Sequence, residues 1–186
     1  MITLLHGGQT GADRGAHEAA IANGWHVTGY MPRDQRDERG LIPEDVARML
    51  MPHDKIGYGA RTEANVAMAN AALIVVPNAA DRRATPGTSK TLDLTAARRL
   101  PLLVVDPAID SAFVASWIWA DLLVCGAQLS LFEDDIRGRR GSTRLLVAGP
   151  RESKWAGAQA HVAGLLRRVA ISLAEIARTH KALPTR

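Results

Sequence analysis

Short apolar runs that alternate with longer amphipathic stretches constrain this chain more than any other feature of its sequence. Five of these runs have the length and composition of buried strands, and helical periodicity follows several of them. The predicted strands are Ile2–Leu5, His26–Gly29, Ala72–Val76, Leu102–Val105 and Arg144–Ala148. Strands that alternate with helices pair in parallel, because the chain crosses back before each new strand. The pattern therefore predicts an α/β fold with a parallel sheet covered by helices, for which we expect the strand order 2-1-3-4-5.

The segments between the strands divide into helices and two irregular stretches. The predicted helices are Ala12–Ala22, Thr62–Asn70, Ser89–Arg99, 111–124 and Lys154–Thr179. Residues 30–60 are rich in proline, glycine and charge, which predicts a long loop with one helical turn near Glu44–Met49. Residues 126–143 lack sustained periodicity and are predicted to be an excursion. With 186 residues, 47% of them hydrophobic, we expect one domain over residues 1–186.

Composition excludes several classes of protein. No run approaches the roughly 18 apolar residues of a membrane helix, so we expect a cytoplasmic protein without membrane contact. The single cysteine, Cys125, excludes an internal disulfide and a cysteine-based zinc site. The six histidines lack the spacing of metal ligands, so no metal site is predicted. The apolar helix at 111–124 and a heptad-like seam in the last helix would suit the homo-oligomer that we expect, although core packing is the more usual explanation of both.

Positive charge is concentrated near the carboxyl terminus. Residues 137–186 contain eleven Lys or Arg residues and only two acidic ones. Such asymmetry fits an anionic partner, but a solvated basic helix is the simpler interpretation. Phe, Trp and Tyr number only eight, so the aromatic platforms that stack single-stranded nucleic acid are scarce. Nucleic acid is therefore the less favoured partner.

Two loops of the predicted sheet have the composition of an anion site. His6–Arg14 and Pro77–Thr91 each lead from a strand into the amino terminus of a helix, where unpaired N–H groups and the helix dipole favour oxyanions. In the expected strand order they face each other across the crevice between strands one and three. Neither loop matches a P-loop or a GxGxxG motif. The loops therefore predict a small anionic ligand without naming it.

Individual side chains near these loops have two interpretations each. Asp13 binds a ribose hydroxyl or a metal-bridged phosphate, or it is a carboxylate favoured by the dipole of its own helix. Arg61 suits a phosphate fork, with Thr62 as N-cap and Asn65 on the inward face, or it is a surface arginine. Of the histidines, His6 is the one placed to touch a ligand.

Four sequence stretches resemble a known family. They are GGQTGADRGAHEAAIANG, ARTEANVAMANAALIVV, PGTSKTLDLTAARRLPLLVVD and LLVAGPRES. In this order they resemble the putative molybdenum carrier family, a branch of the SLOG group of Rossmann-like proteins, over about residues 2–106 and 144–170. The resemblance implies a Rossmann-like, doubly wound parallel sheet.

The resemblance also implies a ligand. It is a phosphate-bearing nucleotide or the molybdenum cofactor, bound by a carrier or sensor. The ligand-binding residues then expected are Gly7, Gly8, Gln9, Thr10, Gly11, Asp13, Arg14, Arg61, Asn65, Gly87, Thr88, Ser89, Thr91 and Arg151.

A hydrolase is the alternative within the same group. The related LOG-type phosphoribohydrolases, which release the base from a nucleoside 5′-monophosphate, have a PGGxGTxxE signature. Here the corresponding stretch is TPGTSKTLD, with Lys90 near the expected glutamate and Asp93 further on. Lysine does not replace a catalytic carboxylate there, which favours binding over catalysis. Asp13, Glu63 or Glu152 would have to supply the carboxylate in an enzyme.

A five-residue stretch suggests a different partner. QLSLF resembles the peptide with which bacterial proteins dock on the sliding clamp, and its docking residues would be Gln128, Leu129, Leu131 and Phe132. The alternative is that its apolar residues pack back on the domain as an edge strand. Clamp docking would make the protein a DNA-associated adaptor.

Overall fold

The structure, a computed structural model, describes residues 2–81, 85–120 and 143–182. These residues form nine strands, six α-helices and one 3-10 helix at Ala79–Asp81. The strands are β1 Ile2–Leu5, β2 His26–Thr28, β3 Tyr30–Met31, β4 Arg36–Asp37, β5 Gly40–Leu41, β6 Met51–Pro52, β7 Ala71–Val75, β8 Leu102–Val105 and β9 Thr143–Ala148. The helices are α1 Ala12–Ala22, α2 Glu44–Ala47, α3 Tyr58–Met68, α4 Pro86–Ala97, α5 (residues 111–120) and α6 Ala158–Ala182. The predicted excursion at 126–143, with the QLSLF stretch, lies outside the described residues except at its last position.

The central sheet is parallel, and its last strand lies in the middle. Five strands pair in the order β2-β1-β9-β7-β8. Leu145 of β9 pairs with Leu4 on one side and with Ala71 on the other. The α/β fold with a parallel sheet is therefore confirmed, but the expected order 2-1-3-4-5 is wrong. Leu145 and Val147 are fully buried, so β9 is apolar enough for the centre of a sheet that is covered on both faces.

The observed order has a simple relation to the doubly wound fold. If the strands are counted from β9, the sequence β9, β1, β2, β7, β8 gives the spatial order 3-2-1-4-5. This is the order of a doubly wound sheet, in which ligands bind where the order reverses, between strands 1 and 4. In this chain the reversal lies between β9 and β7, rather than between β1 and β7 as predicted.

Helices cover both faces of the sheet. Alternate strand residues, such as Leu4 and Leu73, pack with α1, α5 and α6 on one face. Their neighbours Leu5 and Ala72 pack with α3 and α4 on the other. Gly15 permits a close contact between α1 and α6, because a Cβ there would collide with the backbone oxygen of Gln159 in α6. The structure describes no helix with the length and apolarity needed to span a membrane.

Residues 30–52, predicted as a loop, form a small lobe beside the sheet. Strands β3 and β6 pair in parallel, and β4 and β5 form an antiparallel hairpin. The lobe has its own apolar cluster of Met31, Ile42, Val46 and Leu50. The helical turn predicted near Glu44–Met49 is α2. Periodicity could not reveal such two-residue strands, because they are shorter than the pattern that identifies a strand.

Two helices begin earlier than predicted. Helix α3 begins at Tyr58 instead of Thr62, since its N-cap is Gly57 in a left-handed conformation (φ 102°). Helix α4 begins at Pro86 instead of Ser89, because the side chain of Thr85 caps it by accepting from the Thr88 amide. These shifts place Arg61 inside α3, and Thr62 is not its N-cap.

Candidate functional site

Three helix amino termini lie at the carboxyl edge of the sheet. Helices α1 and α4 follow β1 and β7, and α3 runs back toward the start of β7, so all three begin where the parallel strands end. The first turns of α3 and α4 contain no acidic residue, and that of α1 contains Asp13. Helix amino termini attract anions through free N–H groups and the helix dipole. The edge is therefore electropositive, with one carboxylate in the first turns of these three helices.

The glycine-rich loop after β1 is buried and held together by that carboxylate. Residues 7–11 all have little exposure, and a Cβ on Gly8 would contact Leu50 and Ile42 of the small lobe. The amides of Gly7 and Gln9 each donate to Asp13 Oδ2 at 3.0 Å. Two of the loop N–H groups that the sequence suggested for a ligand are thus bonded within the protein.

Arg61 lies over this loop. Its Nη1 donates to the Gly7 backbone oxygen at 2.6 Å and lies 3.8 Å from Asp13 Oδ2. A Cβ on Gly7 would collide with the guanidinium, so any larger residue there would displace the Arg61 side chain. Burial raises the pKa of Asp13, and the charge of Arg61 opposes that rise. The cation and the carboxylate therefore stabilise each other in a buried position.

His6 lies beneath the loop and touches protein on both ring nitrogens. Nδ1 accepts from the Gly8 amide at 3.0 Å, and Nε2 lies 3.1 Å from Nδ1 of His17. Because Nδ1 accepts, the proton of a neutral ring is on Nε2, which then donates to His17. Burial, followed by the charge of His17, lowers the pKa of His6 well below its ordinary value. The described structure thus gives His6 a role in holding the loop.

A small polar cavity lies over the end of β9. It has a volume of about 30 Å³. Its lining is Gly7, Asp13, Arg61, Thr62, Asn65, Thr91 and residues 146–148. A single water needs roughly 10–15 Å³ of such space, so the cavity holds about two waters or the terminal oxygens of an anion. It brings together five of the predicted ligand-binding residues at the end of β9, which is one of the two strands between which the sheet order reverses.

The start of α4 forms the other side of this region. Thr88 Oγ1 lies 2.7 Å from Thr85 Oγ1, and the Thr91 hydroxyl donates to the Gly87 backbone oxygen at 3.0 Å. Gly87 faces open space, and Ser89 is partly buried. Of these predicted residues, Thr91 lines the cavity.

Lys90 adds charge at the start of α3. A Cβ on Gly59 would collide with Lys90 Nζ, so the ammonium group packs on the first turn of α3. This position is electrostatically unfavourable for a cation, because the amino end of a helix is itself positive. The ammonium group of Lys90 therefore increases the positive electrostatic potential at the start of α3, which favours an anion.

Two predicted ligand-binding side chains have structural partners instead. Arg14 Nη2 bonds to Asp37 Oδ2 at 2.8 Å, which ties α1 to β4. The Asn65 amide group accepts from the Tyr30 amide at 2.7 Å and donates to the Tyr30 oxygen at 3.0 Å. Both side chains therefore hold the small lobe against the site.

The loop between β9 and α6 carries Arg151, which is predicted from the sequence to bind the ligand. The same loop contacts Glu38, a residue that sequence reasoning missed. Glu152 accepts from the Gly157 and Gln159 amides at 2.6 and 3.1 Å, so it caps α6. Ser153 and Thr10 bond to Glu38, on the hairpin of the small lobe. Glu38 is in the charged stretch RDQRDERG, which the sequence marked only as polar. Its partners are 28 and 115 residues away in sequence, so no local signal could identify them.

No cluster with the composition of a metal site is found among the described side chains. Across residues 2–81, 85–120 and 143–182, no three His, Cys, Asp or Glu side chains form a group that could hold a metal ion. The polar side chains that line the cavity are instead one arginine, two threonines, one asparagine and the buried Asp13.

The fold and this edge define a class of protein: a Rossmann-like α/β protein in which three helix amino termini lie at the carboxyl edge of the parallel sheet. Residues 4–170 match the model of the circularly permutated YpsA SLOG family. The chain belongs to this family, which agrees with the order 3-2-1-4-5 obtained by counting from β9.

A solved structure is similar over most of its length. The putative molybdenum carrier protein from Syntrophus aciditrophicus SB is 25% identical, with a TM-score of 0.69 over 91% of this chain and 94% of that one. The resemblance predicted from the four sequence stretches is confirmed. No curated protein matches the chain.

Proposed function

We propose that this protein binds an anionic ligand at the carboxyl edge of β9 as a carrier or sensor, and does not transform it. The ligand is a phosphate-bearing nucleotide derivative or a molybdenum-containing anion. The observation that carries the proposal is the position of Arg61, whose side chain is only 12% exposed and lines the cavity. A guanidinium fork binds phosphate-like oxyanions with two parallel hydrogen bonds.

The surroundings of Arg61 support an anion. The amino ends of α3 and α4 have no acidic residue in their first turns, and Lys90 adds a cation. Asp13 is the one acidic side chain among the described residues that line the cavity. A ligand oxyanion there meets more positive than negative potential.

The name of the structural neighbour supports a molybdenum-containing anion. Molybdate and phosphate are both tetrahedral oxyanions, so both bind to N–H donors and arginine side chains. The molybdenum cofactor as a whole does not fit the described cavity, because a pocket for a ligand of that size takes about 300–1,000 Å³. The oxyanion part of such a ligand is suited to the hydrogen-bond donors of the cavity, whereas the pterin ring is too large for it.

The first test is native mass spectrometry of freshly purified protein, with metal analysis and release of any small molecule. Titration calorimetry with inorganic phosphate, molybdate and nucleoside monophosphates follows. For the anion that binds, Arg61→Lys is expected to weaken binding about tenfold or more, because lysine keeps the charge and loses the fork.

Arg98→Lys is the matched control, since Arg98 is exposed at the carboxyl end of α4, on the opposite edge of the sheet. Equal affinity in wild type and Arg61→Lys would refute the site. Failure of every anion in the panel to bind would refute the function.

One observation favours the hydrolase as a second candidate. Asp13 is a buried carboxylate at the cavity with a raised pKa, which is a property of general acids. Against this, its Oδ2 already accepts two backbone amides. Release of free base from a nucleoside 5′-monophosphate, lost in Asp13→Asn, would establish the enzyme and overturn the carrier proposal.

Docking on the sliding clamp stays a prediction. Clamp pull-down with Leu131→Ala and Phe132→Ala controls tests it, and retention that is absent or unchanged in both variants refutes it. Homo-oligomerisation stays a prediction too, and the intact mass in the first experiment tests it.

A further inference from the structure

The hairpin of β4 and β5, residues 36–41, covers the glycine-rich loop. We call these residues the strap. Asp37 pairs with Arg14 at 2.8 Å, and the Gln9 side-chain amide donates to the Arg36 backbone oxygen at 3.3 Å. Side chains and backbone of the strap therefore lie between this loop and solvent.

Glu38 at the turn of the strap is bound like a ligand. Its carboxylate accepts from the hydroxyl groups of Thr10 and Ser153, and from the Ser153 amide at 3.1 Å. These donors come from the loops after β1 and β9, which are neighbouring strands. Three donors from two loops that converge on one carboxylate are the composition of an oxyanion site.

The electrostatics agree with this geometry. Burial alone would raise the pKa of Glu38, but the hydrogen bonds from Ser153 and Thr10, with the charge of Arg151, lower it. The donors at this position therefore stabilise a negative charge that the protein supplies from its own exposed hairpin.

A second, independent feature under the strap points to a ligand. Gln9 is 3% exposed, and its side-chain oxygen is buried without a hydrogen-bond partner in the described structure. Its amide nitrogen reaches the strap, so the unpartnered oxygen belongs to the same covered region. A buried acceptor without a donor is costly and rare in native proteins. A ligand hydroxyl or amine would satisfy it once the strap has moved.

The backbone at the start of the strap is also unusual. Gln35 has φ 53°, in the left-handed region that non-glycine residues seldom adopt. It lies one residue before β4, where a change of backbone angle would swing the strap.

We propose that Thr10 and Ser153 form a second anion subsite, that Glu38 occupies it as an internal substitute, and that a phosphate group of the ligand displaces Glu38 and moves the strap aside. The inference rests on the proposed function, because it places this subsite beside the Arg61 cavity. It also explains how a ligand larger than a 30 Å³ cavity enters: displacement of the strap uncovers the loop.

The test is titration of inorganic phosphate by calorimetry at constant ionic strength. Glu38→Ala is expected to bind phosphate about tenfold more tightly than wild type or better. If Glu38 fills the site about nine-tenths of the time, only about one-tenth of the wild-type molecules have a free site, which weakens the apparent affinity about tenfold. Glu44→Ala is the control, since it removes the same charge from an exposed position on α2. The double variant Glu38→Ala/Thr10→Val is expected to lose the gain.

Two outcomes overturn the inference. One is a folded Glu38→Ala protein, checked by circular dichroism, that binds phosphate no better than wild type. The other is a gain that persists with Thr10→Val, which would make it an effect of net charge. Arg61→Lys separates the two proposals. If phosphate binding is weakened by Arg61→Lys but is unchanged by Glu38→Ala, the proposed function stands and the subsite is refuted.

Hydrogen exchange of the wild-type protein gives a test that needs no variant. With saturating phosphate, the amides of residues 36–41 are expected to exchange faster, while the Ser153 amide stays protected by its new acceptor. Strap amides that exchange at the same rate with and without phosphate would contradict the displacement.

Discussion

Acid is expected to destabilise this protein through one pair of buried histidines. His6 is fully buried and His17 is 7% exposed. Their rings meet edge to face, with a 3.1 Å contact between His6 Nε2 and His17 Nδ1. His6 Nδ1 is occupied by the Gly8 amide. A proton added to His6 would turn this accepting nitrogen into a donor facing another donor, so the pair is stable only when His6 is neutral.

The direction of the effect follows from the pKa values. Burial lowers the pKa of His6 well below the ordinary 6.5, and the charges of His17, Arg14 and Arg61 lower it further. Burial also lowers the pKa of His17, although the nearby Asp45 opposes the shift. Below pH 6.5 the unfolded chain therefore binds protons that the folded chain does not. The stabilisation is complete above pH 6.5 and is lost as the pH falls toward the folded-state values.

The magnitude is large for a protein of this size. Each such histidine changes the free energy of unfolding by up to about 1.4 kcal/mol per pH unit between its folded-state and unfolded-state pKa, so the pair contributes up to about 2.8 kcal/mol per unit where both intervals overlap. Typical total stabilities are about 5–15 kcal/mol. Asp13 acts in the opposite sense, because its raised pKa lets the folded chain hold a proton that the unfolded chain has released. A comparison of variants removes this common contribution.

The assay is urea unfolding at pH 7.5, 6.5 and 5.5, followed by circular dichroism. His6→Asn is the test variant, because its side-chain oxygen can accept from the Gly8 amide without titrating. It is expected to reduce the loss of stability between pH 6.5 and 5.5 by about 1 kcal/mol, because the full slope is reached only when the unfolded-state histidine is completely protonated. His26→Asn is the control, since His26 is exposed in β2. If His6→Asn and wild type lose the same stability between pH 6.5 and 5.5, protonation of His6 is not the cause of the acid destabilisation.

Further substitutions test the contacts that hold the carboxyl edge. Gly11→Ala is expected to cost about 1–3 kcal/mol or more, because φ is 72° and the new Cβ would lie 2.6 Å from backbone atoms of the β9–α6 loop. Gly87→Ala, which faces open space, is expected to stay within about 0.5 kcal/mol of wild type. Equal melting temperatures for these two variants would contradict the packing. Glu152→Ala is expected to cost about 1 kcal/mol through the loss of the α6 cap, and urea unfolding that matches wild type would refute that role.

The strands could be predicted because their burial leaves a simple trace in the sequence. β1 and β8 have the predicted bounds, and β7 and β9 differ by one residue. In β7 every residue is buried, since the sheet is covered on both faces, so the strand is a continuous apolar run. Such a run identifies a strand without any knowledge of its neighbours.

The position of β9 in the sheet could not be predicted in the same way. Its apolar residues suit any interior place in a sheet that is covered on both faces. Its place is set by pairing with β1 and β7, from which it is separated by about 140 and 70 residues, and by the packing of α6 on α1. These are non-local contacts that periodicity along the chain does not encode. The doubly wound order, counted from the amino terminus, therefore predicts a crevice that is one strand away from the observed one.

The sequence predicted which part of the chain forms the candidate site, but not what each side chain does there. The sequence identified Gly7, Asp13 and Arg61, which the structure brings together. It left open whether Asp13 serves a ligand or its own loop, and the bonds from the Gly7 and Gln9 amides favour the loop. Arg14, predicted to bind a ligand, pairs with Asp37, 23 residues away, through a contact that no motif marks.

These bonds also decide which donors remain for a ligand. In a phosphate-binding glycine loop the backbone amides point at the anion, but here two of them already donate to Asp13 Oδ2. An anion could recruit them only by displacing a buried carboxylate that is 3.8 Å from Arg61. The less costly arrangement leaves Asp13 in place and binds the anion through side chains: the guanidinium of Arg61, and the hydroxyl groups of Thr10 and Ser153 once Glu38 has moved. Recognition by side chains, rather than by the glycine loop, makes the affinity of this protein depend on the strap.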